Sequence, residues 1–386
     1  MPCLRYIPCP RGTSATATKG KGTDMGTNAK VRIGFVGAGS MGQMAHLRNY
    51  ATLDDCEVVA LAEVRPETGA LVAARYGIPK VYPSHREMLA KEKLDGVVAS
   101  QPFDLHATML PEIYPHVRHV FTEKPLAVTV EAGEKLAAAA AKAKCTHMVG
   151  YHKRNDPATA YACDVVSRWK SGKAMGPMKY VRITMPAGDW VANGFIGLLN
   201  AGDQPSGPAM EREIGDAWGA PKIPGLDPSV GKRYVEFVNY YIHQVNLMRH
   251  LFGESYRVTF ADKSGVLLAV ESVSGVCGTI EMSPYRTTIE WEETALIAFE
   301  KGYVLLRLPA PLAHARCGTV EVYEDPGDGA TPVRTSPTLP WVHAMRQQAA
   351  NFVKVCRDEM QPPCDAAEAV EDLKVAREYV RMRFGA

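Results

Sequence analysis

The amino-acid sequence predicts an α/β protein of two domains: a parallel sheet covered by helices, then an α+β domain with a large open, mostly antiparallel sheet. Three observations support this class. Apolar runs of strand length alternate with helical patterns from Val31 to Gly150, turn-linked alternating runs dominate the remainder, and 386 residues exceed one ordinary core. We therefore expect a tail over residues 1–29, a ligand-binding α/β domain over 30–150, and a substrate-binding and oligomerisation domain over 151–386.

The first domain contains five apolar runs with the length and β-branched composition of buried strands. They are VRIGFVGAG, EVVALAEV, DGVVASQP, HVFTEKPL and THMVGYHKR. Because helical patterns separate them, successive strands form βαβ units and the sheet is parallel. The carboxyl ends of its strands then share one edge, where open α/β sheets bind ligands.

The second domain is predicted from longer strands that turns connect. They are PMKYVRITMPAG, YRVTFAD, GVLLAVESV, CGTIEMS, TTIEWEETALIAFE and GYVLLRL. One long helix, RYVEFVNYYIHQVNLMRHLFGE, is embedded among them, and two helices beginning near Trp341 and Asp365 close the chain. Residues 193–231 are rich in Gly, Pro and Asp and form a long irregular loop, a type of segment that is often functional.

Composition excludes several classes of partner. A formal charge of +2 gives no reason to expect nucleic acid, and no run of about 18 apolar residues predicts a membrane span. The nine cysteines are scattered without CxxC spacing, which is typical of free thiols in a reducing, cytoplasmic compartment and predicts no metal site. The first 29 residues are rich in small polar residues, which predicts a disordered tail.

A glycine loop, Gly37 to Gly42, follows the first strand and opens a helical pattern as GxGxxG. Glycines allow a tight turn and the close approach of a pyrophosphate, whose charge then lies at a helix N-terminus. This context predicts a Rossmann domain that binds a dinucleotide. The expected cofactor contacts are Gly37, Gly39, Ser40, Met41 and Gly42. Met44 and His46, in the following helix, are interpreted as packing residues.

Glu63 ends the second strand, about twenty residues beyond the loop, where a carboxylate accepts hydrogen bonds from an adenosine ribose. Its charge would repel a 2′-phosphate, whereas Arg65 would attract one. We therefore expect NAD in preference to NADP.

Four further motifs complete a resemblance to a known family. They are Pro102-x-x-x-His106, Glu123-Lys124-Pro125, the stretch GYHKRNDP and the closing helix CDAAEAVEDLKVAREY. Together with the glycine loop, these motifs make the chain from about Lys30 onward similar to the glucose–fructose oxidoreductase, inositol dehydrogenase and MocA (Gfo/Idh/MocA) family. The resemblance implies a Rossmann domain beside an open mixed sheet, and an NAD(P)-dependent sugar or polyol dehydrogenase.

The resemblance also assigns roles to residues. In the family the lysine of Glu-Lys-Pro holds the reacting oxygen, which carries over to Lys124, and an Asp-x-x-x-His helix supplies the general base, which carries over to His243. Asn239 stands where the family has the aspartate. An amide fixes the tautomer of an imidazole but does not raise its basicity, so this departure weakens the expected base.

The remaining expected contacts lie on strand ends and on the long helix. Cofactor contacts are expected at Ser100, Gln101, Pro102, His106, Glu123 and Lys124. His152, Lys153 and Arg154 follow the last Rossmann strand, where the family contacts nicotinamide and substrate; a solvated basic turn would look the same. Asn246 extends the polar helix stripe of Asn239 and His243, and Asp189 with Trp190 ends a strand where Trp190 either stacks on a sugar or packs in the core.

These residues predict an NAD(P)-dependent dehydrogenase that oxidises a secondary hydroxyl of a sugar, glycoside or cyclitol. The open sheet predicts a homodimer or homotetramer. Two alternatives stay open: a redox-neutral enzyme with retained NAD that acts on a glycoside by oxidation, elimination and reduction, and a non-catalytic protein that senses NAD or sugar.

Overall fold

The structure is a computed structural model that describes residues 29–214 and 221–385. All of the predicted disordered tail except residue 29 lies outside the described residues. Among the described helices, each is too short or too polar to cross a bilayer.

The first sheet has six parallel strands in the order β3-β2-β1-β4-β5-β6, which confirms the predicted Rossmann fold. The strands are β1 (Val31–Val36), β2 (Cys56–Ala62), β3 (Val81–Tyr82), β4 (Gly96–Ala99), β5 (His119–Glu123) and β6 (Thr146–Gly150). Sequence analysis missed β3, because a strand of two residues at the sheet edge carries no apolar run.

Between residues 29 and 150, five helices of more than one turn cover this sheet. They are α1 (the π-helical Gly42–Leu47 continued by Arg48–Tyr50), α2 (Pro66–Tyr76), α3 (His85–Lys91), α4 (His106–Ile113) and α5 (Val130–Lys142). Caps agree with the sequence: the side chain of Thr129 accepts a hydrogen bond from the Ala132 amide at the start of α5, and Gly77 ends α2 in a left-handed conformation.

The second sheet has eight strands in the order β14-β13-β12-β11-β7-β10-β9-β8. They are β7 (Met178–Ala187), β8 (Tyr256–Ala261), β9 (Leu267–Ser272), β10 (Cys277–Arg286), β11 (Glu293–Phe299), β12 (Gly302–Leu308), β13 (Thr319–Glu324) and β14 (Val333–Thr335). Only β7 and β10 pair in parallel, so the predicted mostly antiparallel sheet is confirmed.

In the described part of the chain beyond residue 150, there are five α-helices. They are α6 (Pro157–Gly172), α7 (Gly231–Tyr240), α8 (Ile242–Phe252), α9 (Ala344–Cys356) and α10 (Ala366–Phe384). Sequence analysis missed α6, β13 and β14, and its single long helix is divided at Tyr241 into α7 and α8.

The final helices return to the first sheet. The Phe352 ring of α9 lies 5.7 Å from the Phe121 ring of β5 and 6.4 Å from that of Tyr50. A backbone bridge also joins Met148 to Asp365. The division of the chain at residue 150 stays a prediction, since part of the segment assigned to the second domain packs on the first.

One face of the second sheet is covered and the other is open. Along β11, Ala295, Ile297 and Phe299 are buried, whereas the alternate residues Thr294 and Leu296 are partly exposed. The helices α6 and α8 lie against the covered face. Assembly through the open face stays a prediction.

Candidate functional site

A cavity of about 500 Å³ lies at the carboxyl edge of the parallel sheet, between this edge and helices α7 and α8. It is lined by loops that follow β1, β4, β5 and β6 and by the second sheet. The predicted site residues that line it are Gly39, Ser40, Met41, Gly42, Ser100, Gln101, Pro102, Glu123, Lys124, His152, Lys153, Trp190, Asn239 and His243.

The glycine loop has the shape that a pyrophosphate requires. Gly37 has φ +89°, and a Cβ there would lie 2.2 Å from Gln101 Nε2. A Cβ on Gly42 would lie 2.4 Å from the Gly37 carbonyl oxygen, so both positions exclude a side chain. Gly39 has no atom within 4 Å of a Cβ position, which leaves free space beside its backbone. This cradle fits a dinucleotide.

Glu63 lies next to this loop at the end of β2. Its carboxylate accepts hydrogen bonds from the Ala38 amide at 2.6 Å and from Arg65 Nε at 2.8 Å. Glu63 and Arg65 therefore contact each other and the glycine loop. Neither residue is part of the cavity lining.

Glu123 and Lys124 occupy the end of β5, where a strand leaves the core. The Glu123 carboxylate accepts a hydrogen bond from His46 Nε2 at 2.8 Å, so His46 is more than the packing residue that the sequence suggested. Burial acts to raise the pKa of Glu123, but the hydrogen bond and charge of His46 outweigh it and the pKa is lowered. Met44 is buried in the helix, as expected for packing.

The Lys124 ammonium reaches across to α7 and donates a hydrogen bond to the Asn239 carbonyl oxygen at 2.7 Å. Burial lowers the pKa of Lys124, and repulsion from Lys153 lowers it further, while Glu123 acts in the opposite direction. One ammonium proton is thus engaged with the backbone.

Two imidazoles meet at the cavity wall. The rings of His152 and His243 lie 4.6 Å apart, edge to face, and the Nδ1 atom of each is buried without a partner among the described residues. Burial lowers both pKa values well below the ordinary range, and the nearby lysines act in the same direction. Both rings are therefore neutral at pH 7.

A buried carboxylate that sequence analysis missed organises another part of the wall. Glu293 is fully buried at the start of β11 and forms an ion pair with Lys153. It also accepts hydrogen bonds from Gln244 Nε2 at 2.8 Å and from Trp291 Nε1 at 3.1 Å. Lys153, Gln244 and Trp291 all line the cavity. The sequence carries no signal for this contact, because Glu293 lies 140 residues from Lys153.

Three residues with predicted contacts, Arg154, Asn246 and His106, lie outside the cavity lining. Arg154 donates to Asn246 Oδ1 at 2.5 Å, and Asn246 in turn donates to Asp372 of α10 at 2.8 Å. His106 is fully buried and bonds the Leu126 carbonyl oxygen at 3.0 Å. These side chains hold elements together behind the cavity.

Asp189 is exposed, and its carboxylate accepts hydrogen bonds from the Val191 and Ala192 amides at 2.9 and 3.1 Å. It therefore shapes a turn, while its neighbour Trp190 reaches the cavity. Among residues 29–214 and 221–385, no group of three His, Cys, Asp or Glu side chains forms a metal site.

Comparison with known proteins agrees with this geometry. Residues 31–151 match the model of the Gfo/Idh/MocA oxidoreductase family with an NAD-binding Rossmann fold. Through this region the chain is similar to the NAD-binding domain of that oxidoreductase family. Its fold resembles the crystal structure of a putative NADPH-dependent oxidoreductase from Desulfitobacterium hafniense, with a TM-score of 0.71 and 14% identity over 92% of this chain and 95% of the other.

Curated relatives also match over part of this chain. An inositol 2-dehydrogenase from Acidothermus cellulolyticus is 32% identical over 35% of this chain and 40% of its own length. A glycosyl hydrolase family 109 protein from Shewanella putrefaciens is 32% identical over 26% of this chain and 24% of its own. The chain spans less than half the length of these curated relatives.

Proposed function

We propose that the protein is an NAD-dependent dehydrogenase that oxidises a secondary hydroxyl of a sugar, glycoside or cyclitol. The observation that carries the proposal is that one cavity holds the glycine loop, Lys124 and two neutral histidines. When bound, the nicotinamide supplies the acceptor for the hydride that leaves the substrate carbon. The protein must hold the hydroxyl oxygen and remove its proton.

Lys124 is suited to hold the reacting oxygen. An ammonium has three donor hydrogens, and only one is directed to the Asn239 carbonyl oxygen. The others are available to a hydroxyl in the cavity. As the proton leaves, negative charge grows on this oxygen, and a cation in a water-poor site stabilises that charge.

His243 is suited to accept the proton, because its lowered pKa keeps the imidazole unprotonated at neutral pH. The adjacent His152 ring lies within contact distance and provides a second neutral imidazole at the same wall. Without an aspartate to stabilise the imidazolium, we propose that His243 acts as a weak base that accepts the hydroxyl proton and then releases it to solvent.

Absorbance at 340 nm tests this proposal with purified protein, NAD and a panel of sugars, glycosides and inositols. Lys124→Ala and His243→Ala are each expected to lower kcat/KM by about 10² to 10⁴. The exposed Lys135→Ala and His116→Ala are matched controls that are expected to retain activity. Equal activity in Lys124→Ala and Lys135→Ala would contradict the assigned role.

A redox-neutral reaction with retained NAD is a second candidate. It is favoured by the match to a glycosyl hydrolase family 109 protein and by Asn239, which weakens the base. This reaction predicts that the purified protein already contains nicotinamide and cleaves a glycoside with no net change at 340 nm. Release of reduced cofactor in proportion to product would instead support the dehydrogenase.

A further inference from the structure

The long loop after β7 crosses the carboxyl edge of the parallel sheet. We name residues 199–213 the strap. At its start, the Leu199 amide donates to Gln43 Oε1 at 3.0 Å, and Gln43 Nε2 donates to the Leu199 carbonyl oxygen at 2.9 Å. Further along, the Ser206 amide donates to the Val64 carbonyl oxygen at 2.7 Å. The strap is thus bound to the helix after the glycine loop and to the residue that follows Glu63.

Between these contacts, the strap places the carboxylate of Asp203 at the beginning of α2. Asp203 Oδ2 accepts a hydrogen bond from the Glu67 amide at 2.8 Å, and Asp203 Oδ1 accepts one from the Thr68 hydroxyl at 2.5 Å. Although desolvation acts to raise the pKa of Asp203, these hydrogen bonds lower it, so the carboxylate is charged at neutral pH. A remote segment thereby supplies an anion to amides that would otherwise attract one.

This position is next to the adenosine end of the cradle. In a Rossmann domain the acidic residue at the end of the second strand binds the ribose 2′-hydroxyl, and an arginine close by accepts the 2′-phosphate of NADP. Here Arg65 is already held by Glu63, with Nε at 2.8 Å and Nη2 at 3.1 Å from its oxygens. Asp203 is close enough to Arg65 to raise the pKa of the guanidinium. Arg65 is therefore paired with the Glu63 carboxylate and also lies within the field of the Asp203 carboxylate.

We propose that Asp203 is a specificity-determining residue that excludes NADP. The charge of Asp203 adds to that of Glu63 and repels the 2′-phosphate. Asp203 also occupies the amide groups at the start of α2 and helps to neutralise Arg65, so neither is available to that phosphate. The dinucleotide NAD, which lacks this phosphate, is accepted. This inference rests on the proposed nicotinamide-dependent function.

Isothermal titration of the full chain with NAD and with NADP tests the proposal. The variants Asp203→Asn and Asp203→Ser keep a capping oxygen and remove the charge, and both are checked for a wild-type melting transition. Asp227→Asn is the matched control, because Asp227 also caps a turn in the same long connection, through the Ser229 amide at 2.9 Å.

The wild-type protein is expected to bind NAD more tightly than NADP. The ratio of the NADP to the NAD dissociation constant is expected to fall about tenfold in both Asp203 variants, since one repulsive charge is removed at short range. It is expected to stay unchanged in Asp227→Asn. An unchanged ratio in whichever Asp203 variant folds, beside normal NAD binding, would overturn the role of Asp203 alone. Binding of neither nucleotide by the wild-type protein would overturn the proposed function and this inference together.

Discussion

The buried pair of Lys153 and Glu293 gives a stability prediction with a magnitude. Glu293→Gln keeps the shape of the side chain but leaves the Lys153 ammonium, which is 3% exposed, without a counter-charge. Removal of one partner of a buried ion pair costs about 3–5 kcal/mol, because the remaining charge stays desolvated. Lys153→Met is expected to cost less than Glu293→Gln, since Gln244 and Trp291 still donate to the carboxylate.

The double variant Lys153→Met/Glu293→Gln removes both charges, so its loss of stability is expected to be at least about 2 kcal/mol smaller than the sum of the single losses. Urea unfolding of the four proteins measures this coupling. The exposed pair of Lys91 and Glu87, 3.3 Å apart, is the control, and its coupling is expected to stay below about 0.5 kcal/mol. Additive effects at Lys153 and Glu293 would refute the reasoning.

Two further predictions concern the glycine loop and acid stability. Gly37→Ala is expected to lower both the melting temperature and NAD affinity, because its φ is +89° and its Cβ would lie 2.9 Å from the Ser100 carbonyl oxygen. Gly39→Ala, with no atom within 4 Å of its Cβ position, should lower NAD affinity alone. If Gly39→Ala binds NAD with the affinity of the wild-type protein, the pyrophosphate does not approach the backbone at Gly39. Burial lowers the pKa of His147 to about 3, below the value of about 6.5 expected in the unfolded chain. Below about pH 6.5 the unfolded state therefore binds more protons than the folded state. The free energy of unfolding then falls by up to about 1.4 kcal/mol for each pH unit of acidification. His147→Gln is expected to flatten this slope in urea unfolding at pH 7, 6 and 5, and equal slopes would contradict it.

Sequence patterns were sufficient for much of the fold. The five longer strands of the first sheet are mostly apolar and mostly buried on both faces, as in GVVA of β4, so their type was readable. The edges were not. The strand β3 has two residues and β14 has three exposed ones, because pairing with a neighbour, rather than an apolar pattern, makes them strands.

The cavity was predictable where function depends on strand ends. Lys124 comes immediately after β5 and His152 two residues after β6, so their place at the shared edge was implied by the parallel sheet. Glu293 and Asp203 were not predictable, because each acts through a partner more than a hundred residues away. Local sequence does not specify such contacts, since they exist only after the second sheet and the strap have packed.

The break at Tyr241 gives a physical reason for the acidic and basic roles that we propose for Lys124 and His243, although Asn239 stands in place of an aspartate. Asn239 lies in the last turn of α7, where carbonyl groups lack helical partners and the helix dipole is negative, so its carbonyl oxygen accepts the Lys124 ammonium. His243 lies in the first turn of α8, where the dipole is positive and acts with burial to keep the imidazole neutral. An unbroken helix would join His243 to the Asn239 carbonyl and leave Lys124 without this acceptor. The interruption therefore favours a charged lysine on one side and an unprotonated histidine on the other, which is the distribution that oxidation of a hydroxyl requires.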